Sequence, residues 1–219
     1  MKNRIKYWIL GLSLGAWALA GSGCNDVEDG PVEVRGTATE DVATGLVNQG
    51  LFNGNMEQDN EVFANMPNGW RNLVAFFSSP NNYEMGRSEE ALEGNFSLRL
   101  SCDSVDNNDE YLYAQQVIQD PNIALGSFVR LRAQVKAENL SGNGFELLLL
   151  TPDSQGNFIV LATTSPSSEF SGSRNWSEYE AVIDSYPSGV DDLYVWVRLL
   201  SQTTGTIYVD DLSLTYELQ

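Results

Sequence analysis

Histidine is absent from all 219 positions, and cysteine occurs only twice. Without histidine there is no Ser-His-Asp or Cys-His nucleophile system, and none of the common histidine-ligated zinc or non-haem iron sites. Glycine-rich phosphate loops are missing as well. Cations are scarce: 12 Lys and Arg stand against 30 Asp and Glu, a net charge of −18. A field of that sign repels phosphates and anionic lipid head groups, so nucleic acid is not an expected partner. No apolar run reaches the roughly 20 residues of a membrane-spanning helix, and no segment carries a sustained helical period. Carboxylate chemistry is what these absences leave, because two suitably spaced acids suffice for glycoside hydrolysis. With 30 acids in the chain, such a pair by itself singles out nothing.

What is present begins with a leader. Lys2, Arg4 and Lys6 precede an apolar stretch of 14 residues from Tyr7 to Ala20, and Gly21-Ser22-Gly23-Cys24 follows. A basic start, a short apolar core and small residues before a cleavage point make a secretion signal over residues 1–23. The cysteine behind it resembles the lipobox of bacterial lipoproteins, in which that residue becomes the lipidated start of the mature chain. Cys24 is therefore the expected lipidation site, and the resemblance implies an outer-membrane lipoprotein of the cell envelope. Asp26, Glu28 and Asp29 resemble the export signal of lipoproteins that reach the cell surface. Loss of the leader removes three basic residues and no acid, leaving 9 against 30. Membrane contact would come from the lipid and not from a basic face. Cys102 then has no partner for a disulfide and reads as a small buried residue beside a strand.

Residues 24–42 carry scattered acids, no aromatic residue and no period, the pattern of a solvated, disordered tether. Residues 43–219 suffice for one domain burying roughly 70% of its unfolded surface. Within it apolar residues recur at every second position, in short runs broken by Gly, Asn, Pro and Ser. Phe96, Leu98 and Leu100 alternate with Ser97 and Arg99, and Val129, Leu131, Ala133 and Val135 alternate with Arg130, Arg132, Gln134 and Lys136. Both are half-buried strands. Further strands are expected at 72–77, 111–118, 145–151, 157–163, 176–183, 193–200 and 206–216. An all-β jelly-roll sandwich is the fold class that so many short strands without helices predict. In the last strand Ile207 and Val209 are out of phase with Leu212 and Leu214, which calls for a bulge at Asp210-Asp211.

Alternation also sorts side chains by face. Val195, Val197 and Leu199 claim one face, so Tyr194, Trp196 and Arg198 share the other; Tyr111, Tyr113 and Gln115 lie together on one side of their strand. Arg99, Arg130, Arg132, Lys136 and Arg198 all fall on non-core faces. Planar guanidinium groups beside flat rings suit hydroxyls or a uronate carboxylate.

In order and spacing, Asn53-Gly54-Asn55-Met56-Glu57, Pro67-Asn68-Gly69-Trp70, Gly94-Asn95-Phe96-Ser97-Leu98-Arg99-Leu100, Trp176-Ser177-Glu178-Tyr179 and Gly205-Thr206-Ile207-Tyr208-Val209-Asp210-Asp211-Leu212 resemble a family of carbohydrate-binding modules. These are the galactose-binding-like jelly rolls that include families four, nine and twenty-two. The resemblance implies a structural Ca²⁺ beside the first and last strands, with Glu57 and Asp211 as carboxylate ligands and Asn53 in the same loop. It also implies a concave sheet on which aromatic rings stack against sugars.

Two function classes follow. The leading expectation is non-catalytic binding of a poly- or oligosaccharide in a shared cleft built from Trp196, Tyr194, Arg198, Arg130, Arg132, Tyr111, Tyr113 and Trp70. The alternative is a structural or interaction lipoprotein, an accessory subunit or adhesin, holding a protein partner on the same face. A solvent-open groove of rings and polar groups separates the first from the flat apolar patch of the second.

Overall fold

A computed structural model describes residues 39–41, 46–48, 50–61, 65–74, 81–165 and 170–217. The leader, Cys24 and residues 24–38 of the expected tether lie outside the described residues. Every described element is a strand: β1 (Thr39–Asp41), β2 (Leu46–Asn48), β3 (Arg71–Val74), β4 (Tyr83–Ser88), β5 (Ser97–Cys102), β6 (Leu112–Gln119), β7 (Phe128–Ser141), β8 (Phe145–Pro152), β9 (Phe158–Thr163), β10 (Gly172–Ile183), β11 (Asp192–Leu199) and β12 (Thr204–Glu217).

The strands form two antiparallel sheets. Five lie in the order β3-β6-β11-β8-β9. The other seven centre on β12, which pairs with β7 on one side and with β5 and β2 on the other; β4, β1 and β10 extend that sheet at its margins. The inward rows are the aliphatic positions of the alternating strands. Val129, Leu131, Ala133 and Val135 of β7 and Ile207, Val209, Leu212 and Leu214 of β12 share one buried cluster with Leu147 and Leu149 of β8 and Leu193, Val195, Val197 and Leu199 of β11. Two sheets packed through one apolar layer make a sandwich, here of jelly-roll type. At about 25 cal/mol per Å² of apolar surface removed from water, that layer is the main favourable term in folding. Cys102 belongs to it, fully buried, and burial pushes its thiol pKa up.

The expected bulge is present. Asp210 pairs with Gln134, yet Ser213 pairs with Arg132, so β12 carries one extra residue there and Asp211 takes a φ of 49°. The insertion restores Leu212 and Leu214 to the core after Ile207 and Val209.

Two strands add to the sequence reading. Thr39–Asp41, within the stretch read as tether, pairs with Leu46–Asn48, which pairs with β12. That strand is three residues of Thr-Glu-Asp, polar as short edge strands often are, and offers no apolar period to read. The strand Tyr83–Ser88 is also additional, an edge strand whose Glu84, Gly86 and Arg87 hide its alternation.

Candidate functional site

The alternation of β11 sends Tyr194, Trp196 and Arg198 to the outer face of the five-stranded sheet, and cross-strand register decides what stands beside them. Trp196 lies opposite Gln115 on β6 and Leu148 on β8; Arg198 opposite Tyr113 and Glu146; Tyr194 opposite Val117 and Leu150. Gln115 in turn pairs with Arg71 on β3, an exposed residue at the sheet's other margin. Paired residues share a face, so these side chains form one surface.

Trp196 is its centre and is almost covered, at 4% exposure. Tyr113 stacks on it with ring centroids 4.2 Å apart and planes at 30°. Phe158 of β9 meets it edge-on at 4.9 Å and meets Tyr194 in the same way at 4.8 Å. Beneath, Leu148 and Leu150 close a small apolar cluster separate from the main core. The indole Nε1 donates to Gln115 Oε1 at 2.9 Å. Tyr111 lies 5.7 Å from Tyr113, and the Arg198 guanidinium sits over its ring at 5.0 Å. Burial raises the pKa of Tyr113 and of Tyr194, so both phenols stay neutral at physiological pH, able to donate and to accept.

Arg198 is held by Glu146. Its Nε donates to Glu146 Oε1 at 2.7 Å, Nη2 bonds the same oxygen, and Thr163 Oγ1 donates to Glu146 Oε2 at 2.8 Å. The carboxylate is buried, so this pair orients the guanidinium more firmly than a surface ion pair would.

The structure divides the expected cleft. Tyr111, Tyr113, Tyr194, Trp196 and Arg198 come together as expected. Arg130 and Arg132 do not join them: both stand on β7 in the other sheet, with their strand's aliphatic residues turned to the core. Arg130 pairs with Glu217 at 3.5 Å and stacks on Phe128, while Arg132 Nε pairs with Glu180 Oε2 at 2.6 Å. Their outward orientation was legible, but strand alternation carries no information on which sheet a strand joins. Trp70 is not a surface ring either. It is fully buried, at the end of a turn in which its N–H donates to Pro67 O, and it packs within the main core. Trp196 itself is a buried pillar, and the accessible rings above and around it are Tyr113, Tyr194, Tyr111 and Phe158. Phe158 and Glu146 were not singled out from sequence. Asn157-Phe158-Ile159-Val160-Leu161 and Phe145-Glu146-Leu147-Leu148-Leu149-Leu150 are runs without alternation, which give no face assignment.

Of the residues expected to hold calcium, Asn53 and Glu57 are engaged in other bonds and Asp211 faces solvent. Asn53 is part of the loop's own frame, its Nδ2 donating to Gln58 O and Asn68 O while its Oδ1 accepts from Gln58 N. Glu57 Oε1 accepts from Asn95 N at 2.7 Å and Phe96 N at 3.0 Å, and Oε2 from Asn95 Nδ2 at 3.2 Å. These bonds, the Asn95 N–H foremost, hold its pKa below the usual carboxylate range. At the bulge the inward acid is Asp210, 1% exposed, whereas Asp211 is exposed. Asp210 accepts from Leu92 N, Glu93 N and Asp211 N. Among the described residues no three acidic or thiol side chains gather as a metal site would require. With Asn53, Glu57 and Asp210 engaged by N–H groups and Asp211 turned to solvent, these side chains do not converge on one point and are a poor fit to Ca²⁺, which takes 6–8 oxygens.

No family model and no curated protein matches the chain. Solved structures do resemble it. The enzymatically active domain of tailspike protein 4 from bacteriophage CBA120 is 16% identical with a TM-score of 0.53, covering 75% of this chain and 21% of its own. The chain thus spans about a fifth of that protein's length. Carbohydrate-binding modules with β-sandwich folds are also among the neighbours. A CBM4 structure is 15% identical with a TM-score of 0.48, over 76% of this chain and 99% of its own. The CBM22-1 xylan-binding domain from Paenibacillus barcinonensis Xyn10C is 12% identical at 0.47, over 75% and 93%. Likeness at these identities concerns the fold alone.

Proposed function

We propose that the outer face of the five-stranded sheet binds a glycan chain without chemistry, on a protein anchored to the outer membrane through lipid at Cys24 and facing the cell exterior. The observation that supports the binding site is the single surface on which the rings of Tyr113, Tyr194 and Phe158 gather around Trp196, with Arg198, Gln115 and Arg71 beside them. Flat rings cover the apolar faces of pyranoses, and oriented donors and acceptors meet the hydroxyls. Four inter-strand gaps of about 4.8 Å give the surface a width of roughly 19 Å from β3 to β9, room for an extended chain. The carboxylate most firmly placed on this face, Glu146, is engaged by Arg198 and Thr163, an arrangement that serves orientation and not proton transfer.

A glycan array with the purified protein, repeated with Tyr113→Ala and Tyr194→Ala, tests the reading. Binding that falls about tenfold in either variant, at unchanged fold by circular dichroism, supports it. Binding indifferent to both substitutions would move the site off this face. The second reading, a protein partner, is favoured by Phe158, Ile159 and Val160, exposed at 42%, 49% and 50% on the uncharged edge strand β9. An open strand edge of that kind is suited to pairing with another strand. Absence of any array signal, together with co-purification of a partner lost on Ile159→Lys, would favour this second reading.

A further inference from the structure

Where the family resemblance leads one to expect calcium, the structure holds a cation of its own. Arg87 on β4 reaches beneath the 53–59 loop, its side chain only 12% exposed. Its Nε donates to Met56 O at 3.1 Å, Nη2 to Glu57 O at 2.9 Å, and Nη1 pairs with Asp59 Oδ1 at 3.2 Å. The guanidinium carbon lies 3.7 Å from the centroid of the Phe96 ring, so the same group presses on the neighbouring 92–96 turn. Carbonyls of two successive residues, a carboxylate and a ring face are thereby gathered around one planar positive charge.

The two loops are also tied directly. Glu57 accepts from the N–H groups of Asn95 and Phe96, and Asp210 from those of Leu92 and Glu93, so one carboxylate grips each end of the turn. Gly94, at φ +70°, permits the close approach: a Cβ there would meet Glu57 Oε1 at 2.3 Å. The positive charge of Arg87 helps to hold Glu57 ionised. Calcium in such a place must draw loop carbonyls and carboxylates around itself. Here two carbonyls point at N–H donors of Arg87, and both carboxylates point at backbone N–H groups. A dication added beside the guanidinium would displace those bonds and meet like charge.

We propose that this sandwich is metal-independent, with Arg87 as an internal cation that clasps the 53–59 loop to the 92–96 turn in place of Ca²⁺. The inference is independent of the ligand reading. Thermal unfolding of the purified protein in excess EDTA and in 5 mM CaCl₂ (on the order of the millimolar Kd of weak extracellular sites) is expected to give the same Tm, and calorimetric titration with Ca²⁺ no saturable heat. Arg87→Met is expected to lower Tm by roughly 5–10 °C in both buffers, because it removes charge-assisted bonds to two carbonyls. If that variant fails to accumulate, Arg87→Lys keeps the charge without the fork and is expected to fall between the two. One Ca²⁺ bound per chain with a raised Tm, both lost in Glu57→Gln, would overturn the proposal. An Arg87→Met protein with wild-type Tm would overturn it equally.

Discussion

Trp196 Nε1 and Gln115 Oε1 meet at 2.9 Å across the β6–β11 pair, and that bond ties the indole to the neighbouring strand. With Tyr113 on its other side, Trp196 is a support and not a platform. The two rings should therefore respond differently to truncation. Trp196→Ala opens a cavity among Leu148, Leu150 and Tyr113 and is expected to cost about 3–5 kcal/mol of stability. Tyr113→Ala removes a half-buried ring and is expected to cost about 1–2 kcal/mol while weakening glycan binding about tenfold. Urea denaturation beside binding isotherms checks both. A Trp196→Ala protein of wild-type stability would show that the indole is not the pillar described.

The ion pair of Arg198 and Glu146 yields a coupling prediction. Glu146 is buried and Arg198 has a side-chain exposure of 22%. Removing the acid alone leaves a partly desolvated guanidinium, and Glu146→Ala is expected to cost about 1–3 kcal/mol, at the low end of buried pairs because water still reaches Arg198. The double replacement Arg198→Met with Glu146→Leu is expected to recover most of that loss while abolishing glycan affinity. A double-mutant cycle in urea measures the coupling, and strictly additive single effects would contradict the pairing.

The bulge gives a prediction with a built-in control. Asp210 accepts three N–H groups and is buried, while its neighbour Asp211 faces solvent. Asp210→Asn replaces one acceptor oxygen by an amide donor facing N–H groups and is expected to cost about 2–3 kcal/mol. Asp211→Asn is expected to change stability by less than about 0.5 kcal/mol, since Asn also tolerates a φ of 49°. Equal effects of the two would mean that the bulge is turned the other way.

How much of this was legible beforehand differs by residue. In β7 and β11 the core face is aliphatic, and in β12 it is carried by Ile207, Val209, Leu212 and Leu214, so the period of two announced both the strand and its buried side, and the phase slip from Val209 to Leu212 announced the bulge. β8 hid its faces because Leu148 and Leu150 are buried under the Trp196 cluster while Leu147 and Leu149 are buried in the main core; four leucines in a row carry no phase. Arg130 and Arg198 looked alike in sequence, each alternating with aliphatics, and only the pairing of β7 with β12 and of β11 with β8 separates them. Which acid of Asp210-Asp211 turns inward depends on a positive φ at one residue, a matter of backbone geometry that both side chains accommodate. Trp70 follows a turn, where no period exists to tell a buried ring from an exposed one.

Tyr186 combines two features that make its removal informative. It is 4% exposed, and its hydroxyl has no hydrogen-bond partner among the described residues. Burial pushes its pKa up to about 12, above the value near 10 of an unfolded chain. A group whose pKa is raised on folding keeps its proton more tightly in the folded state. Its contribution is therefore fully present below pH 10 and is lost as pH climbs from about 10 through about 12. Over that window the wild-type protein is expected to lose of order 2 kcal/mol through this residue, beyond what the other tyrosines contribute. Tyr186→Phe deletes both the titration and the unpaired hydroxyl. At neutral pH it is expected to be neutral or to stabilise by about 1 kcal/mol, and the difference from wild type should widen above pH 10. Urea midpoints at pH 7, 10 and 11.5, spanning about the unfolded and folded tyrosine pKa values, provide the measurement. A constant difference across those pH values would show that the phenol ionises as readily in the folded protein as in the unfolded chain.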